Sequence, residues 1–204
     1  MVVERNQLFS KNTFEGFQAA RPDNFEEKIL KSFKYLERGV AEIDPAHKQP
    51  IGYSVIVNRD LNKVFAYQRS ADDKRYREKR LQGKWSWGVG GHIEKFDVKQ
   101  GNPIRESTLR EIEEEIDLKD ILKLHLLGYI NSEADAVSQV HFGILYVVET
   151  SAAEINPRDP EIERGQFRDI LFLENLLTSP EIQVESWSRF ALEPIKHFLS
   201  YKKN

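Results

Sequence analysis

Apolar residues recur along this chain with two different periods. Between Phe25 and Glu37, Ile29, Leu30, Phe33 and Leu36 form a helical stripe, and Asp23 or Asn24 stands where an N-cap belongs. Tyr53–Val57 and Val64–Gln68 are β-prone runs, and Asn58-Arg-Asp-Leu-Asn62 supplies turn chemistry for a hairpin between them. Lys84–Val89 reads as a short strand that ends at Gly90-Gly91. A helix fits Asn102 to Asp117, because Asn is a good N-cap and Pro103 takes the favoured first helical position. Strands follow at Leu124–Ile130, Gln139–Glu149 and Phe167–Phe172, then a short helix at Leu173–Leu177. Ser186–Tyr201 closes the chain as an amphipathic helix with Trp187, Phe190, Ile195, Phe198 and Leu199. Strands and helices mixed in this order predict an α/β protein with a mixed sheet.

The helix that begins at Asn102 is unusual in its polar face. At about 100° per residue, Glu115 lies about 40° to one side of Glu111 and Glu114 about 60° to the other. Leu109, Ile112 and Ile116 form a neighbouring core stripe, while Glu106 and Glu113 point to solvent. Like charges at this spacing cost a few tenths of a kcal/mol per pair, a sign that a divalent cation reverses. Hard carboxylate oxygens suit Mg²⁺ or Mn²⁺, which can bridge them to substrate phosphates and activate water. A run of Glu alone is most often only a solvated face; here it sits beside a core stripe and behind a Gly-Gly turn.

Composition removes several alternatives. With 30 basic and 33 acidic residues the net charge is −3, so there is no broad pull toward nucleic acid or anionic membrane. The chain has no Cys, which excludes disulfides, thiolate metal sites and thiol catalysis. The N-terminal stretch carries early charges and no apolar h-region, and Val140–Val148 is too short to span a bilayer, so a soluble, cytoplasmic protein is expected, binding neither nucleic acid nor membrane. The Pro-marked segment Asp44–Pro50 punctuates the chain. Residues 1–49 read as an extension of the same globule, preceding a domain over 50–204. That extension could cover a pocket, build a homodimer interface or pack on the sheet.

The stretch Arg110-Glu111-Ile112-Glu113-Glu114-Glu115-Ile116-Asp117-Leu118, behind Gly90-Gly91, resembles the Nudix box of the Nudix hydrolases. The family pattern is a Gly, five residues, a Glu, seven residues, then Arg-Glu-apolar-x-Glu-Glu-x-Gly-apolar. The run from Lys48 through Arg80-Leu-Gln-Gly-Lys84-Trp to Gly91-His-Ile also resembles a bacterial subgroup labelled phosphoesterases. Three departures stand out. The stretch from Gly91 to Arg110 is five residues longer than the pattern, so Glu94–Gln100 is expected to form an enlarged loop. The usual Glu is Asn102, which leaves Arg110 to find another partner, with Glu106 and Glu114 as candidates. The final Gly is Asp117, at a helix end that often wants left-handed geometry.

The resemblance implies an α/β/α sandwich with a mixed sheet. It also implies a pyrophosphohydrolase that cleaves a nucleoside diphosphate linked to another group, using Mg²⁺ or Mn²⁺ and water. Carried over by position, Glu114 and Glu115 bind metal, and Glu111 binds metal or orients the attacking water. The Gly90 carbonyl completes the coordination, and Arg110 holds the helix face. Arg80, Lys84 and His92 are candidate contacts to substrate phosphates because they flank the Gly-Gly turn; a solvated loop and an ordinary hydrogen-bonded His are the plainer alternatives. Trp85 and Trp87 share a strand face and read as core rather than base-stacking residues. His141 reads as a satisfied core His, and Glu133, Glu161 and Glu163 stay open as further ligands. The rival reading is a non-catalytic Nudix-like module that binds a nucleotide or ADP-ribose; it would ordinarily have lost the box glutamates. An isopentenyl diphosphate isomerase would need a catalytic Cys that is absent.

Overall fold

The computed structural model describes residues 1–9, 13–21, 24–71 and 81–201. In chain order the elements are β1 (Val3–Glu4), α1 (Arg5–Phe9), β2 (Gly16–Ala19), α2 (Phe25–Ser32), α3 (Arg38–Ala41), β3 (His47–Asn58), β4 (Lys63–Arg69) and β5 (Trp85–Ser86). A 3₁₀ turn (Lys95–Gln100) leads into α4 (Pro103–Glu115) and β6 (Ile121–Asn131). Then come α5 (Ala136–Val140), β7 (His141–Thr150), β8 (Ile162–Arg168), α6 (Ile170–Thr178) and α7 (Ser186–Ser200). The strand order is β2-β6-β7-β3-β4-β5, with β1 on β3 and β8 on β4.

The chain forms two compact units. The first comprises Met1–Tyr53, Gly90–Glu111 and Leu126–Tyr146. In it β1 pairs antiparallel with the start of β3, with Val3 opposite Lys48, and β2 pairs antiparallel with β6, with Phe17 opposite Ile130. Its core holds an aromatic group in which Phe9, Phe14, Phe25 and Tyr129 meet Phe142 at ring-centroid separations of 5.7, 6.2, 5.4 and 5.8 Å. Thr108 of α4 reaches β3 at Gly52, where a Cβ would lie 2.0 Å from the Thr108 hydroxyl, so only Gly permits that approach.

The second unit comprises Ser54–Val89, Ile112–His125 and Val147–Asn204. There β4 pairs with the end of β3, with β5 and with β8. Its core joins Ile56, Phe65, Tyr67, Val148 and Ile162 to Ile112 and Ile116, the expected stripe of α4. Trp87 is 1% exposed and Trp85 packs edge-on against Phe172 at 5.5 Å, so both Trp rings are core residues as their alternation predicted. Burying such rings contributes roughly 1.5–3 kcal/mol each.

Several boundaries differ from the sequence reading. α2 stops at Ser32 instead of reaching Glu37: Phe33 turns extended, and Lys34 exchanges two backbone hydrogen bonds with Val2 at 2.7 and 2.9 Å. β3 begins at His47, ahead of Pro50, because β1 supplies a pairing edge there. Ile170–Phe172 are helical rather than extended, since the Asp169 side chain accepts from the Phe172 N–H and starts α6. The stretch after Glu94 is a 3₁₀ turn with a capping box between Glu94 and Asp97, not an open enlarged loop. Among the described residues, no helix is long and apolar enough to cross a membrane.

Candidate functional site

α4 begins as its sequence dictates. Pro103 is its first residue, and the Asn102 carboxamide oxygen accepts from the N–H groups of Ile104 (3.0 Å) and Arg105 (3.3 Å). The Asn102 amide donates to Glu26 at 2.8 Å. Asn102 is therefore fully used in capping and in tethering α2, and has no part in holding Arg110.

Arg110 finds its partner in the inserted turn. Its Nε and Nη2 donate to the two carboxylate oxygens of Asp97 at 3.0 and 3.1 Å, its Nη2 also donates to the His92 carbonyl at 3.0 Å, and its Nη1 donates to Glu111 at 2.7 Å. Asp97 is a partner that helical spacing alone does not offer. The planar guanidinium matches a carboxylate fork, and Asp97 is almost completely buried. Burial works against the Arg110 charge, but the bonds from Asp97 and Glu111 outweigh it and hold the pKa above the ordinary arginine value. Asp97 also accepts from the Glu94 N–H at 2.7 Å, so one carboxylate ties the turn, the loop before it and α4 together.

The Gly-Gly turn makes two close approaches. A Cβ on Gly90 would lie 2.0 Å from the Gly52 carbonyl oxygen, and a Cβ on Gly91 would lie 2.3–2.5 Å from the Glu111 carboxylate. The Glu111 carboxylate is thus seated on the Gly91 Cα, with Arg110 gripping one of its oxygens. Glu114 and Glu115 stand about one turn further along the same helix; Glu114 is exposed and Glu115 half-buried. Glu113 is exposed, as its helical phase predicted, whereas Glu106 and Leu109 are only half-buried.

The C-terminus of α4 is capped from another segment. The Glu115 carbonyl accepts from the N–H groups of Arg158 (2.8 Å) and Asp159 (3.1 Å), and the Arg158 guanidinium donates to the Glu113 carbonyl and the Asp117 carboxylate, each at 2.7 Å. Asp117 does not adopt left-handed geometry; among the described residues, the non-glycine positions with positive φ are Asn62 and Arg164. The helix end is satisfied by residues 156–159 instead, which explains how Asp replaces Gly there.

The remaining candidates are scattered. Arg80 and most of the cationic segment before Gly83 lie outside the described residues. The Lys84 backbone joins the turn after β4, its carbonyl accepting from the Arg69 N–H at 2.8 Å. The His92 imidazole faces His141 at 3.2 Å. Glu133 binds Arg5 and Lys48, and Glu163 accepts from Ser70 at 2.9 Å. The sequence did not reveal a buried polar group in the second unit, where Glu185 binds Arg69 at 2.6 Å and Ser86 at 3.0 Å. Glu185 lies more than 90 residues from each of these partners, and no local pattern links it to them.

The NUDIX domain pattern matches residues 48–183 of this chain. The chain is 31% identical to the protein YmaB of Bacillus subtilis, over 95% of each. It is similar to the crystal structure of Tm1382, assigned to the Nudix hydrolases, with 25% identity, 97% of each chain covered and a TM-score of 0.77. The NUDIX domain of NrtR from Shewanella oneidensis, solved with ADP ribose, shares the fold at a TM-score of 0.56, with 15% identity, 86% of this chain and 99% of that one covered. The chain belongs to the Nudix family, and its α/β fold with a mixed sheet is the fold of that family. It is a Nudix-type pyrophosphohydrolase.

Proposed function

We propose that the chain hydrolyses a phosphoanhydride bond in a nucleoside diphosphate linked to another group, with Mg²⁺ or Mn²⁺ as cofactor and water as nucleophile. The observation that carries this reading is the seat of Glu111: a glycine with no room for a Cβ on one side and a clamped arginine on the other. A carboxylate held this firmly has lost its side-chain freedom in advance, which is what a metal ligand or water-orienting base requires.

The donor set fits a hard cation. Glu111, Glu114, Glu115 and the Gly90 carbonyl offer oxygen only. A bound Mg²⁺ or Mn²⁺ would neutralise charge on the phosphates and lower the pKa of a coordinated water. Glu111 orients the attacking water or takes its proton. Arg110 fixes the Glu111 carboxylate and, through Asp97 and the His92 carbonyl, the Gly-Gly turn. Arg80 and Lys84, which precede that turn in the chain, supply positive charge to the substrate phosphates.

The test is a panel of ADP-ribose, nucleotide sugars, dinucleoside polyphosphates, CoA derivatives and nucleoside triphosphates, each with Mg²⁺ and with Mn²⁺. Glu111→Gln, Glu114→Gln and Glu115→Gln should each lower turnover by about 10²–10⁴, and Glu113→Gln should remain near wild type. Metal-independent turnover, or box variants as active as wild type, would refute the reading. Thermal stabilisation by ADP-ribose without any turnover would instead point to the non-catalytic binding module.

A further inference from the structure

We propose that Glu42, His92 and His141 form a second metal site, which takes one cation of the Zn²⁺ class and uses none of the glutamates of α4. The three residues come from well-separated parts of the first unit: the end of α3, the loop after Gly91 and the start of β7. The Nε2 atoms of His92 and His141 lie 3.2 Å apart. Glu42 places Oε1 3.5 Å from the His92 Nε2 and Oε2 4.0 Å from the His141 Nε2. Four-coordinate zinc with bonds of about 2.0–2.1 Å holds its ligand atoms about 3.3 Å apart. The His92–His141 and Glu42–His92 separations bracket that spacing, and one donor atom from each of the three residues lies within 4.8 Å of the other two.

The surroundings orient the donors. The His141 Nδ1 lies 2.7 Å from the Val137 carbonyl, which can only accept, so Nδ1 carries the ring proton. That leaves the lone pair of Nε2 facing His92 and Glu42, as a metal-bound imidazole requires. The donor chemistry also differs from that of α4. Imidazole nitrogen suits Zn²⁺, Co²⁺ or Ni²⁺, whereas an all-oxygen carboxylate face suits Mg²⁺ or Mn²⁺.

Three protein ligands leave a fourth position open. Of the three ligands, His92 lines a cavity of about 190 Å³ together with Met1, Arg38, Gln49 and Glu94, which has room for a water or a small anion beside that ring. Two neighbours make competing bonds: the Gln49 amide lies 3.3 Å from the His141 Nε2, and Arg38 lies 3.4 Å from Glu42. A hydrogen-bonded cluster without a metal is the alternative, with His92 donating to His141, and the experiment separates the two.

Full-length chain freed of metal with a chelator is titrated with Co²⁺ and followed by visible absorption, and Zn²⁺ is then used to displace it. The expected result is one Co²⁺ per chain in a low-coordination spectrum, displaced by equimolar Zn²⁺ and unaffected by millimolar Mg²⁺. His92→Gln and His141→Gln should weaken Co²⁺ binding at least tenfold. Glu42→Gln should do the same; its side chain is 33% exposed, so this variant folds even if a histidine variant does not. A variant with Glu111, Glu114 and Glu115 all changed to Gln should keep the spectrum. The proposal is overturned if no stoichiometric Co²⁺ or Zn²⁺ binds, if the Glu42 and His variants bind as wild type does, or if the spectrum disappears with the α4 glutamates.

Discussion

Arg110 and Asp97 are joined by a two-pronged ion pair at 3.0 and 3.1 Å, although the family pattern would put the arginine's acidic partner at position 102. The 3₁₀ turn that lengthens this segment is what delivers Asp97. The consequence is testable with Asp97→Asn. That change leaves Arg110 charged against a neutral amide and weakens the acceptor for the Glu94 N–H. Removing one partner of a buried pair costs about 3 kcal/mol. Urea unfolding should show a loss of that order, and turnover should fall as well, because the grip on Glu111 loosens. If Asp97→Asn were as stable as wild type, the inserted turn would not be the anchor of Arg110.

Restoring the family residue should harm this chain. Asn102→Glu removes the oxygen that caps α4 and sets a carboxylate beside Glu26, to which the Asn102 amide now donates at 2.8 Å. Glu is a poorer N-cap than Asn, and loss of a cap costs about 1 kcal/mol. A melting temperature at or above that of wild type would show that Arg110 can abandon Asp97 for position 102.

These two residues also show what was legible in advance. The cap at Asn102, the proline after it and the buried Ile112 and Ile116 follow from local propensity and helical period, so α4 could be placed within two residues of its observed end. The Arg110–Asp97 bond could not be anticipated, because it depends on the path of an irregular turn with no period of its own. The His92–His141 pair is 49 residues apart in sequence and carries no local signal either. α2 ended early for a similar reason: the strand-like pairing of Lys34 with Val2 overrode a helical stripe that extended to Leu36. What sequence pattern could not supply is, in each case, a contact made by tertiary packing.

The two adjacent glycines should separate stability from activity. In Gly91→Ala the three atoms nearest the new Cβ all belong to the carboxylate of Glu111, at 2.3–2.5 Å, the far end of a side chain that can rotate away. The cost in stability should stay near 1 kcal/mol, within the range of ordinary single substitutions, while turnover falls by about 10² or more as Glu111 is displaced. In Gly90→Ala the Cβ meets the Gly52 backbone carbonyl at 2.0 Å, which has no rotamer to adopt. Here stability itself should drop, by more than in Gly91→Ala. Parallel urea melts and initial rates on both variants check the pattern. A Gly91→Ala protein with full activity would remove the seat of Glu111 from the mechanism.

Acid should weaken the first unit through Glu133. Burial tends to raise the pKa of this carboxylate, but hydrogen bonds from Arg5, Asn131 and Lys48 together outweigh that and hold it below the ordinary glutamate value. The Arg5 and Lys48 nitrogens lie 2.8 and 3.1 Å from its Oε1, and Asn131 donates at 3.1 Å; Glu15 approaches only the Glu133 backbone N–H. A carboxylate with a depressed folded pKa stabilises the protein above its unfolded value of about 4.3, and that stability is lost as the pH falls through the folded pKa. In Glu133→Gln the stabilisation is absent at every pH, and the fully buried Lys48 loses its counter-charge. The variant should therefore be less stable than wild type at pH 7 by about 2 kcal/mol. The two stability curves should converge as the pH is lowered below about 4. Curves that ran parallel from pH 7 to pH 3 would show that Glu133 titrates alike in the folded and unfolded chains, and that the Arg5–Glu133–Lys48 contacts do not stabilise the fold through charge.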